Sequence, residues 1–282
     1  LDGGLRPATV IDLAAEYGYE GLPTTDVDEL SAWFRRGADR KSLELYLETF
    51  AHTFGVMQER DAIVRVSAEC AQDLAADGVV YAEVRMVPEL CTEKGLTLDE
   101  AVEAMLEGFR VGSAQAAADG HPIVMKLLVT AMRQAARSVE VAECAVRWRD
   151  AGVVGFDIAG PEAGYRPTRH LDGFDLVRRE NFHITIHAGE SFGLPSIWEA
   201  LQICGAGSVL ERFTGIRAGC DQALDTRLLA ASRRLHQGGH AAARPARGRS
   251  ACREQQSDEA RIPAAHREDQ RRLARRRGKR RI

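Results

Sequence analysis

The sequence is short of what a membrane protein, a disulfide scaffold or a dinucleotide-binding enzyme would need. No apolar run approaches the roughly 20 residues that cross a bilayer, and no basic-then-apolar leader opens the chain. Leu1 rather than methionine stands first, so a processed or clipped start is expected. The six cysteines, Cys70, Cys91, Cys144, Cys204, Cys220 and Cys252, form no C-x-x-C pair. Their spacing supports neither a thiolate zinc site nor a disulfide framework, and a reduced, cytoplasmic protein is the expectation. No G-x-G-x-x-G follows a strand pattern, which weakens a dinucleotide-binding reading. Aromatic residues make up 6% of the chain, and none interleaves with the basic run Arg271–Arg281. That run therefore lacks the stacking platforms of a single-strand binder and reads as a solvated charge cluster, not a nucleic-acid partner site.

What is present suits one large domain. An α/β barrel of about 250 residues is an ordinary single-domain size, and 45% hydrophobic residues in a chain of 282 can fill its core. The net charge of −3 hides a split. From Arg233 onward sixteen Lys and Arg stand against five Asp and Glu, so the remainder is clearly acidic. Such asymmetry marks a separate tail or a segment of second origin.

Apolar periodicity alternates between helix and strand from Asp61 to Gly205. Residues 61–76 read as an amphipathic helix, followed by the β-branched run Val79–Val87 and Pro88. Thr97-Leu98-Asp99-Glu100 forms a capping box that opens a helix to about Ala118. Strands are expected at 123–129, 153–158 and 183–187, and helices at 138–149 and 172–179, with a last helix capped at Ser196 and running to Cys204. Alternation at this spacing predicts a parallel sheet, whose buried strands carry near-continuous apolar runs. A TIM barrel and a doubly wound sheet both satisfy it. The polar residues fall at expected strand ends, namely Glu83 and Arg85, Asp157, then His187 and Glu190. That distribution favours α/β architecture of the TIM (β/α)8 type, where chemistry gathers at the carboxyl ends.

Three segments could carry chemistry. In Thr185-Ile186-His187-Ala188-Gly189-Glu190 a histidine ends a strand and a small-residue step turns the chain towards a glutamate. Imidazole suits zinc and the glutamate suits proton transfer, although a core histidine beside a solvated carboxylate has the same pattern. Gly155-Phe156-Asp157-Ile158-Ala159-Gly160-Pro161-Glu162 offers a strand-end glycine that a ligand could approach, or simply a tight βα turn. Leu1-Asp2-Gly3-Gly4-Leu5-Arg6-Pro7 reads as a loop before a helix over 7–17, with Pro7 in its first turn and Asp2 in solvent.

Taken together and in this order, LDGGLRP, GFDIAGPE and NFHITIHAGE with the helix after it resemble the adenosine deaminase family of zinc aminohydrolases, over about Leu1–Ala206. The resemblance implies a (β/α)8 barrel of the metal-dependent hydrolase type, with Zn2+ held by three histidines and an aspartate. His187 matches the third histidine. Glu190 matches the glutamate that bonds purine N1 and donates a proton as water attacks C6. Gly160 matches the glycine whose N–H meets N3, and Asp2 the aspartate that meets the ribose. Adenine-specific relatives carry glutamate in place of Asp2, so adenosine, and 2′-deoxyadenosine with it, is the implied substrate in purine salvage. No membrane is implied, and the oligomeric state is left open.

The pattern then departs. The family's H-x-H pair lies just before LDG, ahead of Leu1, and with it the first strand, so an incomplete barrel is expected. Where Leu-Gly-His-Gly should follow Ala206, the chain reads Gly207-Ser208-Val209-Leu210-Glu211-Arg212. The zinc Asp-Asp pair has no counterpart either. Asp258-Glu259 and Glu268-Asp269 lie in a hydrophilic stretch and do not take its role. Residues 1–206 are thus expected to be barrel, and 207–282 a basic, disordered or partly helical tail produced by a reading-frame change near Ala206. As written, the chain is expected to be inactive. A noncatalytic purine-binding remnant and an adenine deaminase are the competing readings.

Overall fold

Among the described residues five parallel strands alternate with helices, and the two together carry the buried apolar residues. The computed structural model describes residues 1–39 and 42–210. Its helices are α1 (Pro7–Tyr17), α2 (Val27–Ala38), α3 (Leu43–Leu47), α4 (Phe50–Gly55), α5 (Arg60–Ala76), α6 (Leu98–Ala118), α7 (Ser138–Arg147), α8 (Leu171–Arg179) and α9 (Leu194–Gln202). The strands are β1 (Tyr81–Met86), β2 (Val124–Met132), β3 (Val153–Ala159), β4 (Thr185–His187) and β5 (Ser208–Leu210).

β1, β2 and β3 pair in that order, all parallel, and β4 pairs parallel with β5. A bridge between Phe156 and Ile184 joins the two sets, with the Phe156 N–H donating to the His183 carbonyl at 2.9 Å. The strand order therefore follows the chain order, as the staves of a TIM barrel do. Among the described residues these staves form an incomplete barrel. The sheet continues past Ala206 through β5, and the rest of the segment expected to be tail lies outside the described residues.

Local chemistry explains the boundaries. The capping box at Thr97 forms as its sequence implies: Thr97 Oγ1 accepts from Glu100 N while Glu100 Oε2 accepts from Thr97 N. Asp26 caps α2 by accepting from Glu29 N at 2.9 Å. β2 runs to Met132, beyond the expected end at 129, because Thr130, Ala131 and Met132 find register partners in Asp157, Ile158 and Ala159. α9 begins at Leu194 with Gly193 before it and proline in its first turn. Ser196 is thus a buried helical residue and not the cap expected there. Pro195 sets the start, since its fixed φ and missing N–H suit the first turn.

The core lies between sheet and helices. Met86, Leu127, Val129, Phe156, Ile158 and Ile186 from the strands are fully buried, with Met105 of α6, Val141 of α7 and Phe174 of α8 against them. Phe156 and Phe174 meet edge to face at 5.8 Å. Small residues set the α5–α6 seam: a Cβ on Gly112 would stand 2.2 Å from the Ala68 carbonyl oxygen.

Candidate active site

At the carboxyl ends of β2, β3 and β4 lies a cavity of about 890 Å³. One wall is the first residues of the chain, Asp2 and Gly3. The strand exits contribute Met132 and Gln134, then Ala159, Gly160 and Pro161, then His187 and Glu190. Tyr19, Leu43, Tyr46, Phe50 and Phe54 close the apolar side. All four residues singled out in the sequence, Asp2, Gly160, His187 and Glu190, line this one cavity. Glu83 does not join them: it is exposed near the start of β1, where its Oε1 accepts from the Tyr81 hydroxyl at 2.7 Å.

Strand alternation orients the polar set. Ile186 is buried against the core, which turns its neighbours Thr185 and His187 to the opposite face of the sheet. Asp157 of β3 is fully buried between Arg85 and His187: Arg85 Nε donates to Asp157 Oδ2 at 3.1 Å, and His187 Nδ1 lies 2.8 Å from the same oxygen. The imidazole and carboxylate are close but not aligned as a hydrogen bond, and Asp157 Oδ1 also has no hydrogen-bond partner. Burial works to lower the His187 pKa, but the contacts with Asp157 and the Glu190 charge together hold it above the ordinary value.

Gly160 ends β3 with φ at 106°, a conformation that side chains avoid. A Cβ there would stand 2.7 Å from Gln134 Oε1 and 3.0 Å from Met132 Cε. Gly160 lines the cavity, and packing by Gln134 and Met132 leaves no room there for a side chain.

Two buried ions that sequence reasoning passed over stand behind the cavity. Glu162, 3% exposed, accepts from the backbone N–H groups of Gly189, Ser191 and Phe192 at 2.6, 2.5 and 2.8 Å. Burial works to raise its pKa, but the nearby Ser196 hydroxyl and these three donors win and hold it below the ordinary value. Arg133, 1% exposed, donates to the His187 carbonyl and, at 3.4 Å, to the Tyr165 carbonyl. Burial lowers its pKa against the attraction of Glu162, Glu190 and Asp157. Arg133 follows β2 directly and Glu162 comes three residues after β3, but nothing local in the sequence announces their distant partners.

The donor set fits part of a zinc shell. His187 offers a buried ring nitrogen without a hydrogen bond, and Asp157 a carboxylate oxygen in the same state. Among the described residues, however, no group of three or more His, Cys, Asp or Glu side chains is arranged to hold a metal ion. A catalytic zinc takes three protein ligands, so the described residues do not complete one.

A family model described as adenosine deaminase matches residues 1–236. Over 206 residues, 73% of this chain, the sequence is 68% identical to adenosine deaminase 1 of Streptomyces coelicolor, of which that stretch covers 52%. It is 64% identical over the same length to the adenosine deaminase of Mycobacteroides abscessus, covering 57% of it. The chain thus spans about half the length of the curated relatives it matches. Among solved structures it superposes on an adenine deaminase from Arthrobacter aurescens with a TM-score of 0.63 at 24% identity, covering 82% of this chain and 67% of that one. An amidohydrolase from Burkholderia ambifaria with bound Zn gives 0.61 at 22% identity, covering 84% and 61%. At that identity the structures speak for the fold alone.

Proposed function

The chain belongs to the adenosine deaminase family, and from that premise we propose that its cavity, once a full set of metal ligands is in place, deaminates adenosine, and 2′-deoxyadenosine, by hydrolysis, and that the 282 residues without that set are inactive. One observation carries the reading: Asp2, Gly160, His187 and Glu190, far apart in sequence, line a single cavity at the strand ends. The reaction balances without redox chemistry. Water adds to C6 of the purine, a C6–O bond forms, the C6–N bond breaks, and inosine and ammonia leave.

Each side chain has a distinct task. Glu190 holds the proton that passes to N1, which relieves the loss of aromaticity as C6 becomes tetrahedral. The Gly160 N–H meets N3, and Asp2 receives the ribose hydroxyls. The apolar side built by Leu43, Tyr46, Phe50 and Phe54 keeps bulk water from the base and strengthens the polar contacts within. His187 would supply one ligand of the proposed Zn2+, and the two further histidines and the aspartate that the family adds have no counterpart among the described residues. When bound, such an ion lowers the pKa of a water towards about 7.

The test is to purify the protein, measure bound zinc, and follow the ultraviolet change from adenosine to inosine. In the full-length parent, with its zinc ligands complete, Glu190→Gln is expected to lower kcat by about a hundredfold or more with KM little changed, since a proton delivered mainly in the transition state is lost. Near-parental kcat in that variant removes Glu190 from the mechanism, and stoichiometric zinc without turnover overturns the reading. A noncatalytic purine-binding protein is the second reading, favoured by the incomplete metal donor set among the described residues. Nucleoside binding with neither zinc nor turnover would establish it. Preference for adenine over adenosine would shift the substrate to the free base.

We also assign residues 1–206 to the barrel portion and the sequence beyond it to a basic segment of different origin, whose first residues nevertheless add the short strand β5 to the sheet. The four described cysteines, Cys70, Cys91, Cys144 and Cys204, are free thiols, which supports a reducing, cytoplasmic location. No described helix is long and apolar enough to cross a membrane.

A further inference from the structure

Glu162 is a costly residue to place where it is. A carboxylate 3% exposed loses most of its hydration, and that loss is tolerated only when strong donors replace water. Here they are three main-chain N–H groups, from Gly189 to Oε1 and from Ser191 and Phe192 to Oε2. These donors flank Glu190, which lines the cavity. The turn they belong to is irregular, with Gly189 at φ 94°, and makes no strand or helix bonds of its own until α9 begins at Leu194. Glu162 itself sits two residues after Gly160, so one side chain ties the β3 exit to the β4 exit. Arg133, from the β2 exit, anchors the same turn at its start through the His187 carbonyl.

We propose that Glu162 is a positioning residue: its buried carboxylate fixes the turn over 188–192 so that Glu190 projects into the cavity. Glutamine at 162 has the same shape but only one acceptor oxygen, and its NH2 group would face an N–H. Aspartate keeps the charge and loses a methylene of reach. In both variants the turn loses donors' partners without any change in the groups proposed to meet substrate. The effect on turnover rests on the deamination reading; the effect on the turn does not.

The experiment combines amide hydrogen exchange with kinetics on the full chain. In Glu162→Gln, amides 189–192 are expected to exchange about tenfold faster or more, while those of β2 stay within about twofold of the parent, because the opening is local. The rate constant kcat is expected to fall about tenfold or more at a KM within about threefold. In a Glu190→Gln background the same substitution should cost less than about threefold, since residues acting as a unit are non-additive. Glu162→Asp should give the same local pattern at smaller amplitude, and it serves if the glutamine variant does not fold. Unchanged exchange at 189–192, or equal rate losses in both backgrounds, overturns the proposal. A parent that does not deaminate adenosine overturns the deamination reading instead, and the brace is then judged on exchange alone.

Discussion

Asp2 shows how a residue can be legible by motif and opaque by chemistry. By itself it is a polar residue in a short 3-10 turn, Asp2–Gly4, and nothing in its neighbours' periodicity marks it. Its place on the cavity, with Gly160, His187 and Glu190 on the strand ends, is what gives it a substrate-facing position. In the full-length parent the expected outcome for Asp2→Ala is a loss of about ten- to a hundredfold in kcat/KM for adenosine, from a charge-assisted hydrogen bond worth roughly 1.5–3 kcal/mol. A ribose-free adenine analogue should be affected far less, and equal losses for both would mean that Asp2 only shapes its loop. The residues that sequence reasoning left without a role, Glu162, Arg133 and Asp157, are the buried charges. Their partners are a main-chain turn, a carbonyl and an arginine up to 72 positions away, and no local pattern announces such pairings.

At the scale of elements the alternating segments after residue 60 were legible because β2 and β3 are largely buried apolar runs and the capping box at Thr97 marks the start of α6. The stretch over 27–55 was not resolved into elements, yet α3 and α4 wall the cavity with Leu43, Tyr46, Phe50 and Phe54. A signal existed: Asp26 and Ser42 cap α2 and α3, and Tyr46, Phe50 and Phe54 recur every four residues. α3 and α4 span only five and six residues, too few for periodicity over a full window to register. The α5–α6 seam is the element-level feature that is easiest to test. Gly112→Ala gains about 1 kcal/mol of helix propensity, but its Cβ would stand 2.2 Å from the Ala68 carbonyl oxygen and 2.8 Å from the Ala68 Cα. Backbone cannot step aside as a side chain does, so a net loss of about 1–3 kcal/mol is expected. Urea unfolding checks it, and a variant as stable as the parent would show that the two helices can separate freely.

For the molecule as a whole, the question is what continues the sheet. Among the described residues β1 and β5 each have a strand on one side only, and a parallel edge left open is prone to pair with other chains. Extending the sheet beyond β5 calls for further apolar strands. From Arg244 to Ile282 the sequence carries only Ile262, Leu273 and Ile282 as aliphatics larger than alanine, among many Arg, Ala and Gly. That composition is what GC-rich coding DNA yields when read out of frame, whereas the residues before Ala206 hold the motifs of the family in order. The coding DNA therefore provides the decisive test of the proposed division at 206. Translated in one of the two other frames from near the Ala206 codon, it is expected to encode Leu-Gly-His-Gly at once and an Asp-Asp pair further on, separated by apolar runs of strand length. If neither frame yields them, residues 207–282 are the natural continuation of this chain, and the frame-change reading falls with them.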